Sequence, residues 1–172
     1  MEVLRKVSVD VNEGEQYYVG DQITVRMNEL GNFTATVQAI EEDSVVFMFD
    51  DIIAKHNHND IQEWLDKDIL PLFPETFNVT DITLPTCGQI FGDDEWCREY
   101  FEPDTDEQFE LMKRLCNRVC DCNGHREWWW LKNQIKKYKY AANFAYVGSY
   151  GGARNTYASY SLGVRPVFRI KK

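Results

Sequence analysis

Cys116, Cys120, Cys122 and His125 follow one another as C-x3-C-x-C-x2-H, which sets four potential zinc ligands close together in the chain. Tetrahedral zinc sites are assembled from these side chains, although the common fingers space them differently. A helical reading of the same stretch puts Cys116 on an apolar stripe with Phe109, Met112 and Val119, where a free thiol packs as a small hydrophobe. The core reading is therefore preferred to a metal site. Cys87 and Cys97 fall ten residues apart in a loop and are candidates for reactivity, but nothing basic beside Cys87 would stabilise its thiolate. His56 and His58 precede a helix without a companion carboxylate set and are read as solvated loop histidines rather than a metal pair. The carboxylates Asp50-Asp51 and Asp93-Asp94-Glu95 serve acid-base chemistry only if folding brings partners within reach, and are read as charged turns. No nucleophile elbow, phosphate loop or dinucleotide fingerprint is present. The expectation is a chain with no catalytic residue, no bound metal and no cofactor.

The elements that must carry these side chains follow from hydrophobic periodicity. Residues 1–50 read as an antiparallel β meander: QITVRMNEL, a turn at Gly31-Asn32, FTATVQAIEED and SVVFMFDD. Val25 and Met27, then Phe33, Ala35 and Val37, alternate with polar neighbours, and the unbroken run Val45 to Phe49 suits a central strand. One face of the meander should pack on helices. The segment NDIQEWLDKDIL sets Ile61, Trp64, Leu65 and Ile69 on one stripe, with Asn59 as N-cap and Pro71 as stop. A second helix is expected over TDEQFELMKRLCNRVCDCNG, opened by a Thr105/Gln108 capping box and ending near Gly124. Between them, Ile82 to Leu84 form a short strand, Pro85 turns the chain and an irregular Gly-Asp loop follows. Trp128, Trp129 and Trp130 demand burial and start a strand, and a hairpin turns at Tyr150-Gly151-Gly152. Val164, Pro166, Phe168 and Ile170 share one face of a closing strand, within which Arg165 is expected to be buried, paired and structural.

The 172 residues suffice for one domain with its own core, and an apolar content of 44% argues against extensive disorder. With 28 acidic residues against 19 Lys and Arg, the net charge of −9 disfavours a binder of phosphate backbones, so no nucleic-acid partner is expected. No stretch approaches the roughly 20 apolar residues of a membrane span, and no export signal is visible. Membrane insertion is therefore not expected, and a cytoplasmic or phage-particle location is. Five cysteines, an odd number, are expected to be reduced thiols.

Residues 132–161 hold few aliphatic side chains and many Tyr, Asn, Ser and Gly, bracketed by REWWWL and LGVRPVFRI. That composition suits a contact surface, because Tyr supplies large area at small entropy cost while Asn and Ser supply adaptable hydrogen bonds. ITLPT near Ile82, REWWWL at Arg126 to Leu131 and LGVRPVFRI at Leu162 to Ile170 resemble an uncharacterised domain family of gut bacteria and phage. Its members end in a Trp-rich strand, a variable insert and a G-V-R-P strand, and the resemblance runs from about residue 40 to residue 172. The same ending is similar to the C-type-lectin-like fold shared by formylglycine-generating enzymes and retroelement-diversified variable proteins. The resemblance implies an α+β, C-type-lectin-like fold of antiparallel strands with two main helices. One domain would span 1–172, with the meander at 1–50 and a lectin-like core at 51–172 that carries a variable-type insert at 132–161. The oxidase branch of that fold uses a C-terminal cysteine pair, whereas no cysteine follows Cys122. The Glu-Pro-Asn and Trp-Asn-Asp motifs of calcium-dependent lectins are missing too. An oxidase and calcium dependence are accordingly not expected.

The leading expectation is a non-enzymatic domain that presents Tyr138, Tyr140, Asn143, Tyr146, Tyr150, Arg154, Asn155, Tyr157 and Tyr160 to a protein or glycan ligand. Its oligomeric state is left open. One rival is an acidic phage or mobile-element effector whose Asp93, Asp94, Glu95, Glu102, Asp104, Asp106 and Glu107 occupy a basic cleft on a cytoplasmic host protein. The other is an enzyme using Cys87 or the Cys116 to His125 cluster.

Overall fold

Alternation dictates the first strands of the computed structural model, which describes residues 16–136 and 142–172. β1 (Gln22–Met27) turns Ile23, Val25 and Met27 inward and pairs antiparallel with β2 (Gly31–Ile40), which pairs in turn with β3 (Ser44–Phe49). The β1–β2 turn falls at Asn28 to Leu30, where Glu29 takes a left-handed φ of 64°, and Gly31-Asn32 already belong to β2. The apolar run of β3 is central, as expected: its neighbours are β2 and β12 (Val167–Lys171), and β5 (Val79–Thr83) closes the far edge of β12. Both faces of this first sheet are covered. Val45, Phe47 and Phe49 enter one core, where Phe168 stacks on Phe47 at 5.4 Å, while Val46 and Met48 enter a second core behind it.

The second sheet has the order β10-β9-β8-β11-β4, formed by β4 (Ala54–His56), β8 (Trp129–Gln134), β9 (Asn143–Val147), β10 (Ala153–Tyr157) and β11 (Leu162–Val164). Its pairs are antiparallel except β11 with β8, which meet in parallel at Gly163 and Trp129. Successive strand residues face opposite sides, so Trp129 lies in the second core and Trp130 in the first. A Cβ at Gly163 would lie 2.3 Å from Ile52 Cδ1 and 2.9 Å from the Trp128 carbonyl oxygen, so only glycine permits this strand to approach its neighbours.

The expected single closing strand is in fact two. Arg165 and Pro166 carry the chain from β11 in the second sheet to β12 in the first, although Val164, Phe168 and Ile170 still share one core. Arg165 is buried as expected, at 5% exposure. Its Nε donates to the Phe49 carbonyl (2.7 Å) and its Nη1 to the Asn117 carbonyl (2.9 Å), with the guanidinium 5.1 Å over the Trp129 ring. Burial lowers its pKa, opposed by the nearby Cys120, Asp50 and Asp51.

Helices are short throughout. α1 (Ile61–Trp64) continues as a π turn over Leu65–Ile69 and a 3-10 turn over Leu70–Leu72, and buries Ile61, Leu65 and Ile69 as the stripe requires. Its N-cap is Asp60, in a left-handed conformation and without a side-chain cap, not Asn59. The expected loop after Pro85 holds two further helices, α2 (Cys87–Phe91) and α3 (Glu95–Tyr100). The capping box is Thr86/Gln89 at the head of α2; at the expected Thr105/Gln108 position Gln108 instead donates to the Ile90 carbonyl (2.9 Å).

The second main helix does not form. Residues 105–124 hold two 3-10 turns, Glu110–Lys113 and Leu115–Asn117, followed by a hairpin of β6 (Cys120–Cys122) and β7 (His125–Glu127). Side chains, two of them from beyond the stretch, take carbonyls that a helix would use: Asn117 holds Leu111 O, Arg118 holds Met112 O, Arg165 holds Asn117 O and Trp129 holds Arg118 O. The fold is thus mostly β with some helix, in mixed sheets. Among the described residues no helix is long and apolar enough to cross a membrane. Arg165→Met should remove the donors of two buried carbonyls and lower unfolding free energy by about 3 kcal/mol in urea denaturation.

Candidate ligand-binding surface

The hairpin β9–β10 is where the tyrosine-rich tract emerges from the core. It turns at the expected place: Gly151 has a left-handed φ of 80°, and its N–H donates to the Gly148 carbonyl at 2.9 Å. A Cβ at Gly151 would sit 3.1 Å from Leu115 Cδ1, so the turn lies directly against exposed Leu115. Ala145 and Val147 anchor the hairpin in the second core, and Tyr146 anchors it in the first. Over Tyr146 stacks Trp128, with ring centroids 5.1 Å apart and the indole N–H donated to Ser149 Oγ at 2.8 Å. Trp128 is 43% exposed, so the expectation that all three tryptophans are buried fails for it. Alternation sends Trp129 and Trp130 to the two covered faces of the sheet, whereas Trp128, one residue before β8 begins, stacks over Tyr146 with its other side left to solvent.

The expected surface residues divide. Tyr150 is 82% exposed at the turn, and Tyr157 and Tyr160 are 58% and 55% exposed with ring centroids 6.3 Å apart. Arg154 is exposed opposite Tyr146 in the hairpin register. Asn143 and Asn155 are half-buried and bonded to each other, Nδ2 to Oδ1 at 3.1 Å. Tyr146 departs from expectation: it is 8% exposed, and burial raises its hydroxyl pKa, so it supports Trp128 instead of presenting itself. Tyr138 and Tyr140 lie outside the described residues. Two exposed aromatic groups remain, Trp128 with Tyr150 at the turn and Tyr157 with Tyr160 at the open end. Five-residue strands separate the two ends by about 17 Å. Trp128 and Leu115 were missed from sequence; no local pattern signals Trp128, because the three residues that follow it, Trp129, Trp130 and Leu131, are all buried in succession on a strand covered on both faces.

Other candidate residues are drawn into structure. His58, expected in solvent, is buried: Nε2 donates to the Leu131 carbonyl at 2.9 Å, and the ring stacks on Phe144 at 3.6 Å and meets Trp130 edge-on. Nothing local signals this, because its partners lie more than 70 residues away. His56 stacks on Trp64 at 4.4 Å. Cys116, expected in the core, is exposed on a 3-10 turn, Cys120 is buried with its pKa raised to about 11 by burial, and Cys122 is half-buried. Among the described residues no three His, Cys, Asp or Glu side chains gather as a metal site. Asp94 caps α3 through Cys97 N–H (2.9 Å), Asp93 pairs with Arg98, Asp104 takes Asn133 Nδ2 (2.8 Å) and Gly88 N–H (3.1 Å), and Asp106 takes Thr86 Oγ1 (2.8 Å). Glu95, Glu102 and Glu107 are exposed.

Fold and surface together describe a mostly β, mixed-sheet domain with an aromatic hairpin supported by buried tryptophans. The chain belongs to a family described as Domain of unknown function (DUF6273), whose model matches residues 79–172. That match starts with β5 and takes in the tryptophan strand, the hairpin and the Arg165 crossover. Comparison with the curated proteins and with the solved structures finds no match to either.

Burial lowers the His58 pKa below its ordinary 6.5, so the unfolded chain takes up a proton that the folded chain refuses. This part of the stability is full above pH 6.5 and is lost as pH falls from there toward the lowered folded value. The melting temperature should therefore drop between neutral and mildly acid pH, and His58→Phe should flatten that portion of the curve.

Proposed function

We propose that the chain is a non-enzymatic binding domain whose C-terminal hairpin presents aromatic side chains to a protein ligand. The observation that carries this reading is the distribution of exposed large hydrophobic side chains. Four of the eight in the described residues, Trp128, Tyr150, Tyr157 and Tyr160, come from the tryptophan strand and the tract that follows it. Tyr and Trp are the side chains that most often anchor interfaces, and here the buried Trp129, Trp130 and Leu131 hold their base rigid. Two groups about 17 Å apart suit one extended protein surface better than one sugar ring. A glycan is the alternative outcome of the test. The acidic-effector reading draws less support, because Asp93, Asp94, Asp104 and Asp106 are engaged in caps, ion pairs and hydrogen bonds of the fold.

The C-type-lectin-like reading of the fold, and the reading of residues 132–161 as a retroelement-diversified insert, belong to the same proposal. They are supported by the resemblance of REWWWL and LGVRPVFRI and by the composition between them. Coding DNA beside an adenine-rich template repeat and a reverse transcriptase gene would bear out diversification; DNA without them would count against it.

The binding surface is tested by replacing Tyr150, Tyr157 and Tyr160 together with Ala and screening wild type and variant against protein and glycan libraries. Affinity for whatever wild type captures should fall at least about a hundredfold, as for hot-spot aromatics, while the melting temperature holds. A parallel loss of melting temperature would mean that these tyrosines serve the fold.

A further inference from the structure

Charge divides this chain as sharply as burial does. All 28 Asp and Glu residues lie at or before Glu127 and none follows it, whereas nine of the 19 Lys and Arg do. Several of those nine are engaged in the fold: Arg165 is buried, Arg169 pairs with Glu41 and Asp81, and Lys136 and Lys172 reach backbone carbonyls. Arg154 differs. It is exposed on β10, its Nη1 donates only to the adjacent Ala153 carbonyl (3.1 Å), and it makes no ion pair among the described residues. A second exposed arginine reaches the same end of the hairpin. Arg126 Nη1 donates to the Ser149 carbonyl (3.4 Å), beside the Trp128 indole N–H on Ser149 Oγ (2.8 Å). Glu127, between the two in sequence, is turned to Lys55 at 2.5 Å, and Asp121, across the β6–β7 ladder from Arg126, forms no ion pair with it. Arg154 in turn stands opposite Tyr146, over which Trp128 stacks. A Cβ at Gly148 would come 3.7 Å from Arg154 Cγ, so the stem of this arginine runs along the approach to the turn.

We propose that this end of the hairpin docks an acidic protein segment, whose Asp or Glu carboxylates meet Arg126 and Arg154 while an apolar side chain beside them covers Trp128 and Tyr150. The inference rests on the reading of the chain as a binding domain and adds the chemistry of its ligand. Guanidinium groups present planar, paired donors that match a carboxylate, and Trp, Tyr and Arg together are the side chains that dominate binding at interfaces. Two of these side chains are already held by Ser149, so less conformational freedom is lost when a partner arrives. The acidic excess of residues 1–127 repels an acidic segment elsewhere and steers it toward the hairpin, whose own residues carry no carboxylate. That same excess opposes a nucleic acid, because a long phosphate backbone would run on from the arginines over acidic surface.

The test selects a random peptide library on the full chain, then measures the affinity of the synthesised winners by titration calorimetry at low and high salt. Winners should be enriched in Asp and Glu, weaken as salt rises, and bind Arg126→Gln/Arg154→Gln about tenfold less tightly while its circular dichroism is retained. The Trp128 indole N–H resonance, assigned through Trp128→Phe, should move on binding. Should the double variant fail to fold, winners remade with Asn for Asp and Gln for Glu give the same readout on the wild-type chain, with the same loss expected. Winners without acidic enrichment that still depend on Tyr150, Tyr157 and Tyr160 would overturn this inference and leave the binding-domain reading standing. Selection of no peptide at all would sink both. The inference also fails if single-stranded DNA or phosphatidylserine vesicles bind through the two arginines while acidic peptides do not.

Discussion

The buried guanidinium of Arg165 is the contact on which the two sheets depend. A chain that leaves one sheet and enters another must abandon its ladder partners at the crossing, and the carbonyls stranded there need donors. Arg165 supplies them from the crossing itself. It reaches the end of β3 through Phe49, the 3-10 turn through Asn117 and the tryptophan strand through the Trp129 ring. Removing such a charge from water is costly, and the site answers with two carbonyls, an aromatic face and the nearby carboxylates of Asp50 and Asp51. Asp50 bears a matching strain: burial raises its pKa even though Thr36 and Gln22 donate to it and Arg165 stands near.

The same economy of donors explains the loss of the second helix. Periodicity over residues 105–124 is real, and Phe109 and Met112 are buried as it implies. Yet four carbonyls in this stretch are held by Asn117, Arg118, Arg165 and Trp129 side chains. Two of those donors lie beyond the stretch itself, and once they are engaged a continuous helix is redundant. The Asn123-Gly124 pair, both at left-handed φ, then turns the chain into the small β6–β7 hairpin. That dipeptide is a strong local hairpin signal, and it was legible in the sequence, although the helical pattern around it pointed elsewhere.

The family match and the architecture overlap without coinciding. Residues 79–172 supply β5 and β12 of the first sheet, but the other neighbour of β12 is β3, the last strand of the meander, which precedes the matched segment. Both cores likewise draw on the two halves of the chain: Phe47 and Phe49 meet Phe168, and Val46 and Met48 share the second core with Trp129 and Val167. The exposed aromatics of the hairpin thus rest on a scaffold to which the N-terminal meander contributes directly.

What the sequence by itself determined was most of what short-range patterning governs, the helix of residues 105–124 excepted: the meander, the central β3, the apolar stripe of α1, the tryptophan strand, the hairpin turn at Gly151 and the burial of Arg165. Composition also marked the tract from which the exposed tyrosines come. Tertiary structure alone decided which of those aromatics reach solvent, because Trp128 closes over Tyr146 only when β8 and β9 pair. It likewise decided that the closing segment crosses between sheets and that His58 is enclosed by partners from β8 and β9. Each of these is a contact between segments whose separation in the chain gives no local signal, and each is fixed by burial and hydrogen-bond satisfaction that exist only once the sheets have assembled.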